Sequence, residues 1–297
     1  MYTLEERHVM DLGDIYTLLY GYLGQELINQ FHLDGERVLR EASRRFGRDR
    51  GKTLREKHLR IGAKVNMQNL FSLYPDLPSD PRFRRELQIL APQERISHTL
   101  YCPMAAIWEK HGQKNIGRIY CEEFHPACYS EYAYGYTHVN LARTQTQGDD
   151  PYCAFRVILR PADLPEDLRG ECFAEFDADY KEPPYHPELS LSGREGFEML
   201  AIKLYHYLLE TSIEYMGTGA ISAVASGLQK LSKASVELLK ETSSLYHVPF
   251  DDDLVAASIP FSHDYDSISF WQGYDSCNAK HLLEENFFKP LLRETAH

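Results

Sequence analysis

"HVNLARTQTQGDDPYCAFRVILR", residues 138–160, decides how the middle of this chain folds. Val139 and Leu141 alternate before a Gly-Asp-Asp-Pro turn, and Cys153, Phe155, Val157 and Leu159 alternate after it. Side chains two apart on a strand share a face, so the pattern predicts an antiparallel hairpin with Gly148 and Asp149 in its turn. Cys153 belongs to the apolar face of that hairpin. Taken alone it reads as a packed thiol, because free cysteine usually behaves as a small buried hydrophobe.

Working outward, "ISHTLYC" (96–102) sets Ile96, His98, Leu100 and Cys102 on one side of a further strand, and Pro103 suits the first turn of a short helix. "RIYCEEFHPACYSEYAYGY" begins as a helix that Pro126 should break or kink. "YPDLPSDP" (74–81) marks a boundary, and the Pro- and acid-rich run 161–193 reads as a linker or surface excursion rather than core. Before the boundary, Ile15, Leu18, Leu19, Tyr22, Leu23, Leu27, Ile28 and Phe31 follow one helical face, and two more helices are expected with a break near Gly47. After residue 197 the chain is helical again. There "LYHYLLETSIEYM" (204–216) aligns with "LYGYLGQELINQF" (19–31) at an offset of 185, which also sets "VELLKET" opposite "GKTLREK".

The expectation is therefore an α+β fold, mainly helical, in which a small central antiparallel sheet is flanked by two helical arms that are candidate copies of one repeat. The segments are an N-terminal arm (1–80), a cysteine-rich α+β module (81–160), a linker or excursion (161–196) and a C-terminal arm (197–297).

Composition narrows the function. The 297 residues are 43% hydrophobic and 26% charged, as in a globular protein, and carry a net charge of −12. That acidity argues against nucleic acid and anionic membranes as partners. With no export signal at the N-terminus and no apolar span, the six cysteines read as reduced thiols of a cytoplasmic protein.

Four of those cysteines, Cys102, Cys121, Cys128 and Cys153, fall in the central module among His111, His125 and His138. No Cys-x-x-Cys pair exists, which argues against an ordinary zinc ribbon. Three motifs in order, "YCPMAAIWEKHG", "IGRIYCEEFHPACYSEYAYGY" and "TQTQGDDPYCAF", resemble the L-2-amino-thiazoline-4-carboxylic acid hydrolase family. The likeness is good over roughly 95–160 and extends loosely to "RRFGRDRGKTLRE". It departs from the family pattern in the extra residue of "GDDPYC" and in His125-Pro126. The hairpin is also similar to the sensor module of the 4-vinyl-reductase type, which binds small molecules without needing to react with them.

The family resemblance implies hydrolysis of a C–N bond in a small cyclic amidine or amide. Cys102, Cys121 and Cys153 would converge at the centre, with His125 or His138 as acid/base and Glu123 orienting the histidine or holding a ligand amine. A lowered thiol pKa would allow direct attack, or the same three cysteines would hold zinc or another divalent metal that activates water. The alternative is a binding or sensor protein of the 4-vinyl-reductase type with a structural zinc.

Arg48 or Arg55 would grip the carboxylate of a nitrogen-bearing substrate, with Asn66 beside them and the glycines around "RDR" permitting close backbone approach. Against this stands a solvated helix face with i,i+4 charge pairs such as Lys52–Glu56. Twenty Tyr against fourteen Phe, four of them in "YSEYAYGY", suit a pocket or a homo-oligomer interface. Trp108, Tyr120 and Tyr129 are the aromatic candidates for the pocket.

Overall fold

A computed structural model describes residues 2–75, 80–148, 150–262, 265 and 269–295. The chain is mainly helical, with one four-stranded antiparallel sheet of order β1-β2-β4-β3. Its elements are α1 (Leu4–Arg60), α2 (Met67–Ser72), β1 (Arg84–Ala91), β2 (Glu94–Tyr101), α3 (Pro103–Lys110), α4 (Lys114–Tyr132), β3 (His138–Arg143) and β4 (Cys153–Ile158). They continue with α5 (Glu166–Cys172), α6 (Gly193–Met216), α7 (Ala220–Tyr246), α8 (Asp252–Ser258), α9 (Ala279–Leu283) and α10 (Lys289–Thr295). Among the described residues no helix is long and apolar enough to cross a membrane.

A reciprocal capping box between Thr3 and Glu6 starts α1. At His32 the backbone leaves the helical region, with φ 53° and ψ −123°, and the chain turns back on itself. Tyr20 and Ser43 then meet through their hydroxyls at 2.9 Å, so α1 is an antiparallel hairpin with arms 4–31 and 33–60. α6 and α7 form a second hairpin that reverses at Gly217, where φ is 65°. The two reversals lie 185 positions apart, the offset of the sequence alignment.

The hairpins pack antiparallel, arm against arm. Asp11 accepts from Thr242, and Glu26 pairs with Lys230 at 2.6 Å, joining the first arm of α1 to α7. Lys203 reaches Asp49 and Thr53, and Arg45 pairs with Glu214, joining the second arm to α6. Lys230 and Arg45 are themselves 185 apart, so the two hairpins place a cation at matching points of their mutual contacts. The core between them is apolar, with Leu19, Leu23, Leu208 and Leu228 fully buried.

Two helix-breaking expectations fail for one reason. α1 runs unbroken through Gly47, and α4 runs unbroken through Pro126. Gly47 and Gly51 lie on the α1 face that meets α4. A Cβ at Gly47 would stand 2.7 Å from the Phe124 carbonyl oxygen, and one at Gly51 would overlap that of Cys128. A glycine inside a helix costs roughly 1 kcal/mol relative to alanine. Here it lets the two backbones touch, burying Phe46, Phe124, Cys128 and Tyr132 almost completely. That packing holds α4 helical across the proline.

The hairpin of residues 138–160 forms as expected, with Val139 opposite Val157 and Leu141 opposite Phe155. Gly148 lies in its connection; Asp149 and residues 76–79 of the expected boundary lie outside the described residues. In β2 the side bearing Ile96, His98 and Leu100 is half-buried, and Ser97 and Thr99 turn inward. Residues 161–193 are not wholly a surface excursion. Leu164, Cys172 and Phe173 pack with Val65, Met67, Tyr132 and Val157 in a second core beneath the sheet.

Candidate active site

Cys121, His125 and Tyr129 recur every fourth residue and so share one face of α4. That face meets the inner face of the sheet, where strand pairing sets Arg85, Thr99 and Cys153 in one row, Ser97 and Phe155 in the next, and Arg95 and Val157 in a third. The His125 ring stands perpendicular to Phe155 at 5.2 Å.

Between α4, the sheet, the second arm of α1 and α2 lies a cavity of about 330 Å³. Its polar lining includes Arg50, Arg85, Arg95, Asp80, His125 and Tyr129, with Phe71, Phe83 and Phe155 as apolar walls. The Arg95 guanidinium rests 4.1 Å over the Phe71 ring, and that of Arg85 rests 4.2 Å over Phe83. Among the described residues neither is matched to a carboxylate. Asp80 is already engaged: Arg82 bonds both its oxygens, and also grips Asp14 at 2.6 Å.

These charges govern His125. Burial, then Arg50, Arg85 and Arg95, lower its pKa to about 3, so the imidazole is neutral across the physiological range. Its Nδ1 lies 3.2 Å from the Tyr129 hydroxyl. Burial keeps that phenol protonated by raising its pKa. Arg95 is destabilised as a cation by burial and by Arg85, without losing its charge.

Beyond Thr99, outside the cavity lining, the same interface of α4 with the sheet holds a cluster of thiols. The Cys121 thiol is pushed up by burial and by the nearby Cys102 and Cys153, against a hydrogen bond from Thr146. Burial raises Cys153 to about 11, although it accepts the Gln145 N–H at 3.3 Å. Burial likewise raises Cys102, which is opposed by N–H groups at the start of α3. All three are neutral thiols. Among the described residues no three His, Cys, Asp or Glu side chains are grouped as a metal ion requires, so Cys102, Cys121 and Cys153 do not fit as a ligand set.

The structure thus brings together Cys102, Cys121, Cys153, His125 and Tyr129. The other candidates stand elsewhere. Glu123 is held by Arg40 and Arg44 on the outer face of α4, and His138 is largely exposed, 3.3 Å from Asp163. Arg48 pairs with Glu41, while Arg55 pairs with Glu131 and lies over Tyr134. Asn66 caps α2 and bonds the Cys172 carbonyl. Trp108 donates to the Thr17 carbonyl in the main core, and Tyr120 meets Tyr16 there. The glycines around "RDR" do permit close approach, but to the backbone of α4.

Sequence reasoning missed Arg50, Arg85 and Arg95. Arg50 is the last residue of "RDR", and a helical wheel centred on the flanking glycines was the signal for it. Arg85 lies on a strand the sequence did not announce. Arg95, Ser97 and Thr99 form a polar inward face, which alternation alone assigns to solvent.

Every described residue lining this cavity falls inside one matched segment. Residues 14–157 match the family model described as L-2-amino-thiazoline-4-carboxylic acid hydrolase. Over that segment, just under half of the chain, the sequence is similar to this family. No curated protein and no solved structure matches the chain. The matched segment runs from the first turns of α1 to the end of β4, and among the described residues α6 to α10 contribute nothing to the lining. They support it through the Lys203–Asp49 pair, one residue from Arg50. The family's name denotes hydrolysis of a small cyclic carbon–nitrogen compound, which marks the cavity as the place to look for such chemistry.

Proposed function

We propose that this chain hydrolyses a C–N bond of a small cyclic amidine or amide bearing a carboxylate, in the cavity between α4 and the sheet. The observation that carries the reading is a neutral histidine facing a cavity walled by arginines. With Nδ1–H donating to the Tyr129 oxygen, Nε2 keeps a free lone pair toward the cavity. It takes a proton from water as the oxygen bonds the electrophilic ring carbon. The C–N bond then breaks, and the same proton passes to the departing nitrogen, so the sum is addition of one water. A guanidinium stabilises the negative charge that develops at the carbon's substituent.

A pKa of about 3 belongs to the empty cavity. A bound carboxylate offsets the arginines and raises the basicity of His125 toward the working range, so base strength arrives with the substrate. The cysteines stay neutral in this reading, because burial outweighs the N–H and hydroxyl donors beside them.

The test is turnover of a panel of five-membered cyclic amidines and amides, with and without a ring carboxylate. Carboxylate-bearing members should be opened, and His125→Gln should lower kcat by roughly 10²–10⁴-fold while the protein stays folded. Binding without turnover throughout the panel would replace this reading with that of a small-molecule binding protein. Unchanged kcat in His125→Gln would remove the histidine from the mechanism.

A further inference from the structure

Among the described residues, the free charges facing the cavity are of one sign. Arg85 and Arg95 have no carboxylate partner among the described residues, while the acidic side chain in the lining, Asp80, is saturated by Arg82. Glu122 and Glu123, which could have met a ligand's ammonium group, are turned to the outer face of α4 and neutralised by Arg40, Arg44 and Arg118. The described lining therefore offers a zwitterion an attractive end for its carboxylate and a repulsive wall for its amine.

The two arginines also stand apart. Arg85 is paired in register with Thr99, and Arg95 lies four residues back along β2, roughly 13 Å by strand rise. Phe83 and Phe71 hold their guanidiniums by ring contact, which leaves the edges free to bond anions. His125 is near enough to feel both.

We propose that the cavity selects a small dianionic ligand without a cationic amine, one acidic group at Arg85 and the other at Arg95, with the reacting carbon near His125. This names the substrate class of the site used in the hydrolase reading and rests on that cavity. Among the rings of that reading it points to an uncharged amide or imide with two acidic groups as the best-bound member.

Calorimetric titration with glutarate, butyrate and 4-aminobutyrate tests it without any turnover. These probes share a four- or five-carbon chain and differ in the charge at one end. Glutarate should bind at least about tenfold more tightly than butyrate, since each charge-assisted pair is a strong interaction. 4-Aminobutyrate should bind weakest. Arg95→Met and the more exposed Arg85→Met should each bring glutarate down to the level of butyrate, with unliganded melting curves confirming the fold. Equal or tighter binding of 4-aminobutyrate, or glutarate binding unchanged in both variants, overturns the proposal. His125→Gln should leave glutarate binding within about threefold, corresponding to less than ~0.7 kcal/mol, so loss of the hydrolase reading is read separately from loss of this one.

Discussion

The two ends of one helix–sheet interface make an instructive pair. At one end α4 presents His125 and Tyr129 to a cavity ringed by Arg50, Arg85 and Arg95; one turn earlier it presents Cys121 to Cys102 and Cys153. Helix and sheet are the same, and the groups at both ends are desolvated. Desolvation favours the neutral form, yet neutrality means opposite things chemically. A neutral imidazole is a base, whereas a neutral thiol is a poor nucleophile and a poor metal ligand. In the proposed reaction the reactive role therefore falls to the histidine end, where the arginines keep the imidazole neutral until a bound carboxylate offsets them.

The sharpest way to break the comparison is to cut each end in turn. His125→Gln should cost roughly 10²–10⁴ in kcat, while Cys121→Ser and Cys153→Ser should each stay within about tenfold of the parent. Serine losses as large as the histidine loss would move the reaction centre to the thiols. Next in size is thiol reactivity. In a Cys277→Ser background, which removes the exposed cysteine, modification of Cys153 at pH 8 should run on the order of a hundredfold slower than a free thiol. Rapid modification would mean that a thiolate is held after all.

A third prediction concerns the support common to both ends. Gly51→Ala drives a methyl group into the Cys128 carbonyl and should destabilise the protein by about 1–3 kcal/mol in denaturant unfolding. Gly219→Ala, with open space around it, serves as the control and should be nearly silent. Because Cys121 and His125 ride on the same helix, Gly51→Ala should perturb both ends together. If only one responds, α4 does not act as a rigid bar.

A last effect is in acid. His125 has a folded pKa near 3 against about 6.5 unfolded, so the unfolded chain takes the proton first as pH falls. Its contribution to stability is complete above pH 6.5 and is lost on the way down to pH 3. His125→Gln should therefore lose less stability than the parent between pH 7 and pH 4 in matched denaturant titrations. A parallel decline in the two proteins would mean that His125 is not depressed.

Much of this molecule was legible in order along the chain. The 138–160 hairpin, the Pro103 helix start and the three cysteine motifs are local patterns, fixed by side-chain alternation, backbone dihedral limits and short spacing. The alignment at offset 185 likewise found two hairpins, because a reversal point and its flanking apolar stripes leave a trace in sequence. What failed was whatever depends on a neighbour's backbone. Gly47 and Pro126 break isolated helices, but the contact between α1 and α4 outweighs that preference at both.

The charged lining was hidden for a related reason. Arg50, Arg85 and Arg95 come from a helix and two strands, and only the packing of α4 on the sheet makes them face one space. From sequence, Arg48 and Arg55 were as good as Arg50; the rotation of α1 imposed by its glycines turned Arg50 to the cavity and the other two away from it. The sequence by itself determined the α+β class, the likeness of residues 14–157 to a hydrolase family and the residues that repeat along one face of α4. Tertiary structure alone decided which charges meet, because electrostatics depends on distance through space and burial, neither of which is carried by position in the chain.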